Sequence, residues 1–150
     1  MKKILLSMTL AIAVLGSAFA VPADKEPSVT VKTAFAKEFS QVTDVKWNEA
    51  AVGNGVYEAR FTFNNEALQA YFTEEGEFLG TTRQICVSRL PVLTANTLAR
   101  KYADYHVVSV FEYSKPDGVS YYITLSDAKG GLLLQATGNG ELTVYKKLKQ

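Results

Sequence analysis

The sequence predicts an α+β fold of two tandem units, each one helix packed on a four-stranded antiparallel meander sheet. Three observations predict it. First, the second half echoes the first at a shift of 64 residues: Gly76-Glu77-Phe78 falls on Gly140-Glu141-Leu142, Tyr57-Glu58-Ala59-Arg60-Phe61 on Tyr121-Tyr122-Ile123-Thr124-Leu125, and Leu68–Thr73 on Leu132–Thr137. Second, these segments alternate apolar and polar residues, the period of a strand with one buried face. Third, a stripe of apolar residues at helical spacing precedes each set of strands. Two copies of so long a period do not make a solenoid array.

The elements follow in order. Ser28 is placed to cap a helix over about Val29 to Phe39, with Ala34, Phe35 and Phe39 on one stripe. Val45 and Trp47 alternate with Asp44, Lys46 and Asn48 in a first strand, and Gly53-Asn54-Gly55 turns the chain. Tyr57, Ala59, Phe61 and Phe63 alternate through a second strand. Asn64-Asn65 makes a tight turn, because asparagine tolerates left-handed backbone angles. Leu68, Ala70 and Phe72 mark a third strand. Glu74-Glu75-Gly76 turns into a fourth, Glu77 to about Ile85. The second unit opens at Leu90-Pro91, where proline suits a first helical turn. Val92, Ala95, Leu98, Ala99 and Tyr102 form its helical stripe. The fifth strand buries either Val108, Val110 and Glu112 or Val107, Ser109, Phe111 and Tyr113; its register is ambiguous. Lys115-Pro116-Asp117-Gly118 is a strong hairpin signal. Tyr121, Ile123 and Leu125 face one way in the sixth strand, and Tyr122, Thr124 and Ser126 the other. After Lys129-Gly130-Gly131, Leu132, Leu134 and Ala136 face inward, and Gly138-Asn139-Gly140 leads to a last strand from Glu141 to about Leu148.

The division expected is a signal peptide over 1–20, a disordered lead-in over 21–28, a first unit over 29–88 and a second over 89–150. Lys2-Lys3, an apolar run from Ile4 to Leu15 too short to span a bilayer, and Ala18-Phe19-Ala20 have the form of a cleaved export signal, so the mature chain begins at Val21. It then carries fourteen basic and fifteen acidic residues, which points away from nucleic acid and anionic membranes. With the signal removed no membrane span remains. Cys86 is the single cysteine, so no internal disulfide forms, stability comes from packing, and burial is the commoner fate of such a thiol.

Ala34-Phe35 through Phe39, Val45-Lys46-Trp47, Tyr57-Glu58-Ala59-Arg60-Phe61 and Thr73-Glu74-Glu75-Gly76-Glu77-Phe78, with Leu90-Pro91, Tyr102, Tyr121-Tyr122 and Gly138-Asn139-Gly140-Glu141-Leu142 in the second unit, carry a resemblance. The pattern resembles the PepSY-like, β-lactamase-inhibitor-like family of small exported bacterial proteins, over nearly the whole mature chain. The resemblance implies tandem helix-plus-sheet units, a periplasmic location and no known catalytic function. Its motifs are packing and turn motifs. β-Lactamase inhibition belongs to a distant relative of similar shape, and no motif here carries that activity over.

Catalytic chemistry finds little footing. His106 is the only histidine, and with one cysteine the ligand count excludes a structural zinc site. Cys86 and His106 lie on different connecting segments, and nothing in the sequence joins them as nucleophile and base. Glu74-Glu75-Gly76-Glu77 reads as a solvated hairpin, without the alternating ligands of a calcium loop. The Gly-Asn-Gly stretches lack the lysine and following helix of a phosphate loop. Lys146, Lys147 and Lys149 suit an edge strand that resists sheet-to-sheet pairing. No cofactor is expected.

The outward strand positions remain: Glu58, Arg60, Gln69 and Tyr71 in the first unit, and Tyr122, Thr124, Leu133, Gln135 and Tyr145 in the second. Tyrosine and arginine are enriched where proteins bind each other, and an exposed Leu133 would add an apolar contact. The sequence therefore points to a non-catalytic exported binding protein, possessing open sheet faces on which Arg60, Tyr71, Tyr122, Gln135 and Tyr145 engage an unidentified protein or peptide. Inhibition or modulation of an envelope or extracellular protein is one such use. The competing readings are an enzyme with a carboxylate-based site and a self-associating envelope protein.

Overall fold

The computed structural model describes residues 26–50 and 55–149. The export signal, most of the lead-in and the Gly53-Asn54 half of the first turn lie outside the described residues. Two helices, α1 (Val29–Glu38) and α2 (Val92–Lys101), accompany eight strands: β1 (Val45–Glu49), β2 (Val56–Phe63), β3 (Glu66–Thr73), β4 (Phe78–Ile85), β5 (His106–Lys115), β6 (Gly118–Asp127), β7 (Gly130–Thr137) and β8 (Leu142–Leu148). All eight form one antiparallel sheet in chain order. A 3₁₀ turn, Val87–Arg89, leads from β4 towards α2.

Local chemistry accounts for most of these boundaries. Ser28 caps α1, its hydroxyl accepting from the Val31 N–H at 3.4 Å. Asn64 and Asn65, with φ of 50° and 64°, make the β2–β3 turn. At the β6–β7 turn the Asp127 carboxylate accepts from the Lys129 N–H at 2.8 Å.

Both helices cover the same face. Under α1, Val31 and Phe35 pack on Tyr57, Ala59, Phe61, Ala70 and Phe72. Phe35 meets Trp47 and Phe61 edge-on, with ring centroids 5.3 and 5.2 Å apart. Under α2, Leu98 packs on Ile85, Val110, Ile123, Leu125, Leu134 and Ala136. The α2 stripe is narrower than the sequence predicts: Val92 and Ala99 are exposed, and Thr94 is buried instead, its hydroxyl donating to the Thr137 carbonyl at 2.7 Å. A polar stripe runs between the two apolar clusters. Central strands β4 and β5 pair Thr81 with Ser114 and Arg83 with Glu112. Arg83 Nε lies 2.8 Å from Glu112 Oε1, and Glu66 pairs with both Arg83 and Arg89.

Three bulges bend the sheet, leaving Leu79, Val108 and Tyr145 as extra residues. The bulge at Val108 resolves the ambiguity in β5. Val110 and Glu112 lie on the helix side and Ser109, Phe111 and Tyr113 on the other, whereas Val107, across the bulge, pairs with Leu125 of the helix side.

Among the described glycines, Gly80 has the least room for a side chain. Its φ is 138°, and a Cβ there would lie 2.5 Å from the Ser114 carbonyl oxygen and 2.7 Å from Tyr113 Cε2. Only glycine satisfies both the backbone angle and the space. Gly80→Ala is expected to lower stability by about 3 kcal/mol in urea unfolding followed by Trp47 fluorescence. An unchanged midpoint would contradict this contact.

Candidate functional site

The face opposite the helices gathers every outward position singled out in the sequence. Arg60 pairs with Gln69, Glu58 with Tyr71, Tyr122 with Gln135 and Thr124 with Leu133, and residues directly opposite one another share a face. Because β4 pairs with β5, the two halves present one continuous surface. The bulge at Tyr145 turns its ring onto Tyr122, with centroids 5.6 Å apart and planes at 90°.

This surface is less open than the sequence suggests. Glu58, Tyr71, Tyr122, Thr124 and Leu133 are all buried, Leu133 to 4% exposure. An exposed Leu133 between tyrosines is therefore not what the chain presents. The reason is curvature: no helix covers this side among the described residues, yet Ala50, Val56 and Tyr71 from one half and Tyr113, Tyr122 and Leu133 from the other form one buried cluster. Side chains buried on a face without a helix require a sheet bent towards them, and with its three bulges this sheet is read as concave here. Arg60 is exposed, while Gln135 and Tyr145 are half-buried.

The tyrosine tips are satisfied internally. Tyr71 donates to Gln69 Oε1 at 3.2 Å, and Thr82 donates to the same oxygen at 2.9 Å. Tyr113 donates to the Leu79 carbonyl at 2.9 Å, and Gln135 Nε2 donates to Tyr122 Oη at 3.3 Å. Burial raises all three phenol pKa values, that of Tyr113 to about 12. The three rings form a neutral floor. Beside it, Ser109 and Thr124, partners across β5 and β6, bury hydroxyls without a hydrogen-bond partner among the described residues.

Next to the floor lies a cleft of about 620 Å³. Lys46, Arg60, Gln69, Thr82, Gln84 and Phe111 are among its lining residues. Arg60 is fixed by its neighbour on the strand: Nε and Nη2 each donate at 3.0 Å to an oxygen of buried Glu58. The Glu58 carboxylate raises the Arg60 pKa further, so the guanidinium stays charged. Lys46, directly across from Arg60 on β1, makes no ion pair among the described residues. Lys46, Thr82, Gln84, Phe111 and Tyr113 are not among the binding residues that the sequence singles out. Tyr113 was present only in one of two registers for β5, and Lys46 was legible only through its alternation with Trp47.

The other candidates stand apart. Cys86 is exposed between β4 and the 3₁₀ turn, against the burial expected of a free thiol. His106 is exposed at the start of β5. On edge strand β8, Lys147 pairs with Leu132 of the helix side, whereas Lys146 pairs with Leu133 and so joins the rim of the helix-free face. Among the described residues, no three His, Cys, Asp or Glu side chains group to hold a metal ion, and no helix is long and apolar enough to cross a membrane.

An antiparallel eight-stranded meander with two helices on one face and a curved, tyrosine-floored opposite face defines an α+β fold of the BLIP-like kind. It is similar to a BLIP-like protein from Bacteroides fragilis NCTC 9343 (18% identity, 84% of this chain and 89% of that one, TM-score 0.73). It is also similar to a DUF2874 family protein from Bacteroides ovatus ATCC 8483 (21% identity, 82% and 87%, TM-score 0.71). A third similar structure is a candidate periplasmic protein from Bacteroides eggerthii DSM 20697 (17% identity, 82% and 90%, TM-score 0.72). No family model matches the chain, and no curated protein matches it in sequence. At these identities the likeness is one of fold.

The tyrosine floor makes a pH prediction. Tyr113 has a higher pKa folded than its ordinary 10, so the folded state holds the proton more tightly. Its contribution is fully present below pH 10 and is lost as pH rises through about 12. Stability should fall across that window, with tyrosinate absorbance rising as structure is lost. The Tyr113→Phe variant should show a shallower fall. Equal slopes in the two proteins would show that Tyr113 is not the group responsible.

Proposed function

We propose that this chain is a non-catalytic, exported binding protein, periplasmic or secreted, whose concave sheet face engages another protein or an extended peptide. One observation carries the reading: a single continuous face joins an internally satisfied tyrosine floor to exposed or half-buried side chains, among them Lys46, Arg60, Gln84, Phe111 and Tyr145. A rigid floor ringed by adaptable polar groups suits a partner's main chain and side chains. The export signal read in residues 1–20 and the similarity to a candidate periplasmic protein support the location. The likeness to a BLIP-like protein agrees with binding as the mode of action. Inhibition or modulation of an envelope or extracellular protein is the use this reading favours.

We also infer that the chain comprises two helix-plus-four-strand units, 29–88 and 89–150, laid side by side in one sheet. The equivalent turns support this. Gly76 and Gly140, with φ of 84° and 88°, each sit where a Cβ would press on the first turns of a helix: Thr30 and Ala34 of α1, and Leu93 of α2. Val31 and Phe35 are buried in α1 as Thr94 and Leu98 are in α2.

The test is affinity capture from envelope extract with the chain from Val21 as bait. A second bait would carry Lys46→Glu, Gln84→Ala and Lys146→Glu, exposed changes that leave the floor intact. The first bait is expected to retain a protein that the second loses. Equal retention on both would move the binding surface off this face.

A further inference from the structure

The cleft beside the tyrosine floor is lined by more cationic than anionic side chains. Asp44 is the only acidic residue among those lining it, against Lys46, Arg60 and Arg83. Arg83 is already engaged on the helix side by Glu112 and Glu66. On the concave side the Arg60 charge is shared with Glu58, and Lys46 makes no ion pair among the described residues, so Lys46 and the unshared edge of Arg60 are the cationic groups that face the cleft.

Arg60 is preorganised for a second anion. A guanidinium can offer a carboxylate two parallel donors along more than one edge. Glu58 occupies the edge formed by Nε and Nη2. The edge formed by Nη1 and Nη2 remains, on a side chain 52% exposed. Because Glu58 is itself buried, the guanidinium plane is held before any ligand arrives, so little rotamer freedom is lost on binding. Lys46 stands directly across the strand pair. Gln69 is fixed too: its Oε1 accepts from both Tyr71 and Thr82, which leaves its Nε2 donors for the cleft it lines. Three neighbouring groups thus offer donors, and two of them are cations.

We propose that this cleft is a carboxylate subsite: it receives an aspartate or glutamate side chain from an extended segment of the partner, through the open edge of Arg60 with support from Lys46 and Gln69. This rests on the reading of the concave face as a binding surface and names the chemistry of the segment that binds. The length of the face suits an extended segment running from this anchor over the floor towards Tyr145.

The test is selection from a bead-displayed library of randomised hexapeptides with acetylated and amidated ends, so that side chains carry the only carboxylates. The expected result is enrichment of an acidic residue at one fixed position, with affinity that weakens as salt rises. Arg60→Gln alone leaves Glu58 buried without a cation, so the paired variant Glu58→Gln with Arg60→Gln and the single exposed change Lys46→Gln would run beside it. Each is expected to lower affinity for the selected acidic peptide about 10-fold or more, with circular dichroism unchanged. Selected peptides without an acidic preference would overturn the carboxylate subsite and leave the binding face standing. No selection above blank beads would overturn both.

Discussion

The packing of Tyr113 over Gly80 joins the two halves of this molecule on the concave side. On the helix side the halves do not share a core: α1 and α2 cover separate apolar clusters, and the strands between carry Thr81, Arg83, Glu112 and Ser114. Partly exposed ion pairs of that kind contribute at most about 1 kcal/mol each. The shared apolar contact is the concave cluster, which gathers Val56 and Tyr71 from one half with Tyr113, Tyr122 and Leu133 from the other. Burying rings of this size contributes about 2 kcal/mol each by area. The cluster therefore outweighs the ionic stripe as the link beyond the β4–β5 ladder. It forms only because β4 carries no side chain at Gly80 and bends at the neighbouring bulge.

That solution divides the concave face into a floor and a rim. A tyrosine whose hydroxyl is already bonded to Gln69, Leu79 or Gln135 has little left to offer a partner. In the proposed binding role, Tyr71 and Tyr122 would act by shape and rigidity, and the exposed and half-buried rim would supply the contacts. Ser109 and Thr124 are the exception. Their buried hydroxyls lack partners among the described residues, and an unpaired buried hydroxyl is costly unless a water or a ligand atom reaches it.

The architecture was legible because it rests on periodicity. Alternation along each strand gave the correct face for Tyr57, Ala59, Phe61, Tyr122 and Thr124, and the turn residues set the boundaries to within a residue or so. What alternation could not supply was curvature. Period-two reasoning assigns one side inward and the other outward, but a coiled sheet can bury both, as it does at Tyr71 and Leu133. Bulges are similarly silent: nothing in Val107-Val108-Ser109 announces which residue is extra, so the register of β5 stayed open. Arg60 and Tyr145 lie on the side opposite the helices, the outward side that the sequence assigns them. Lys46 and Gln84 line the cleft because of neighbours on other strands, and one strand's pattern does not encode those.

Glu58 is where local pattern and burial disagree. A strand position 6% exposed would ordinarily hold an apolar residue, and well-packed apolar substitutes for a buried ion pair are often as stable or more so. Stability alone therefore gives little reason for a carboxylate there. Its geometry does something an apolar side chain could not: it holds Arg60 by two bonds and leaves another edge of the guanidinium exposed at the cleft. Departures from the packing rule concentrate where a protein acts. The Glu58–Arg60 pair departs from it on the one face that no helix covers among the described residues, beside the cleft, and it does so in a form suited to receiving an anion.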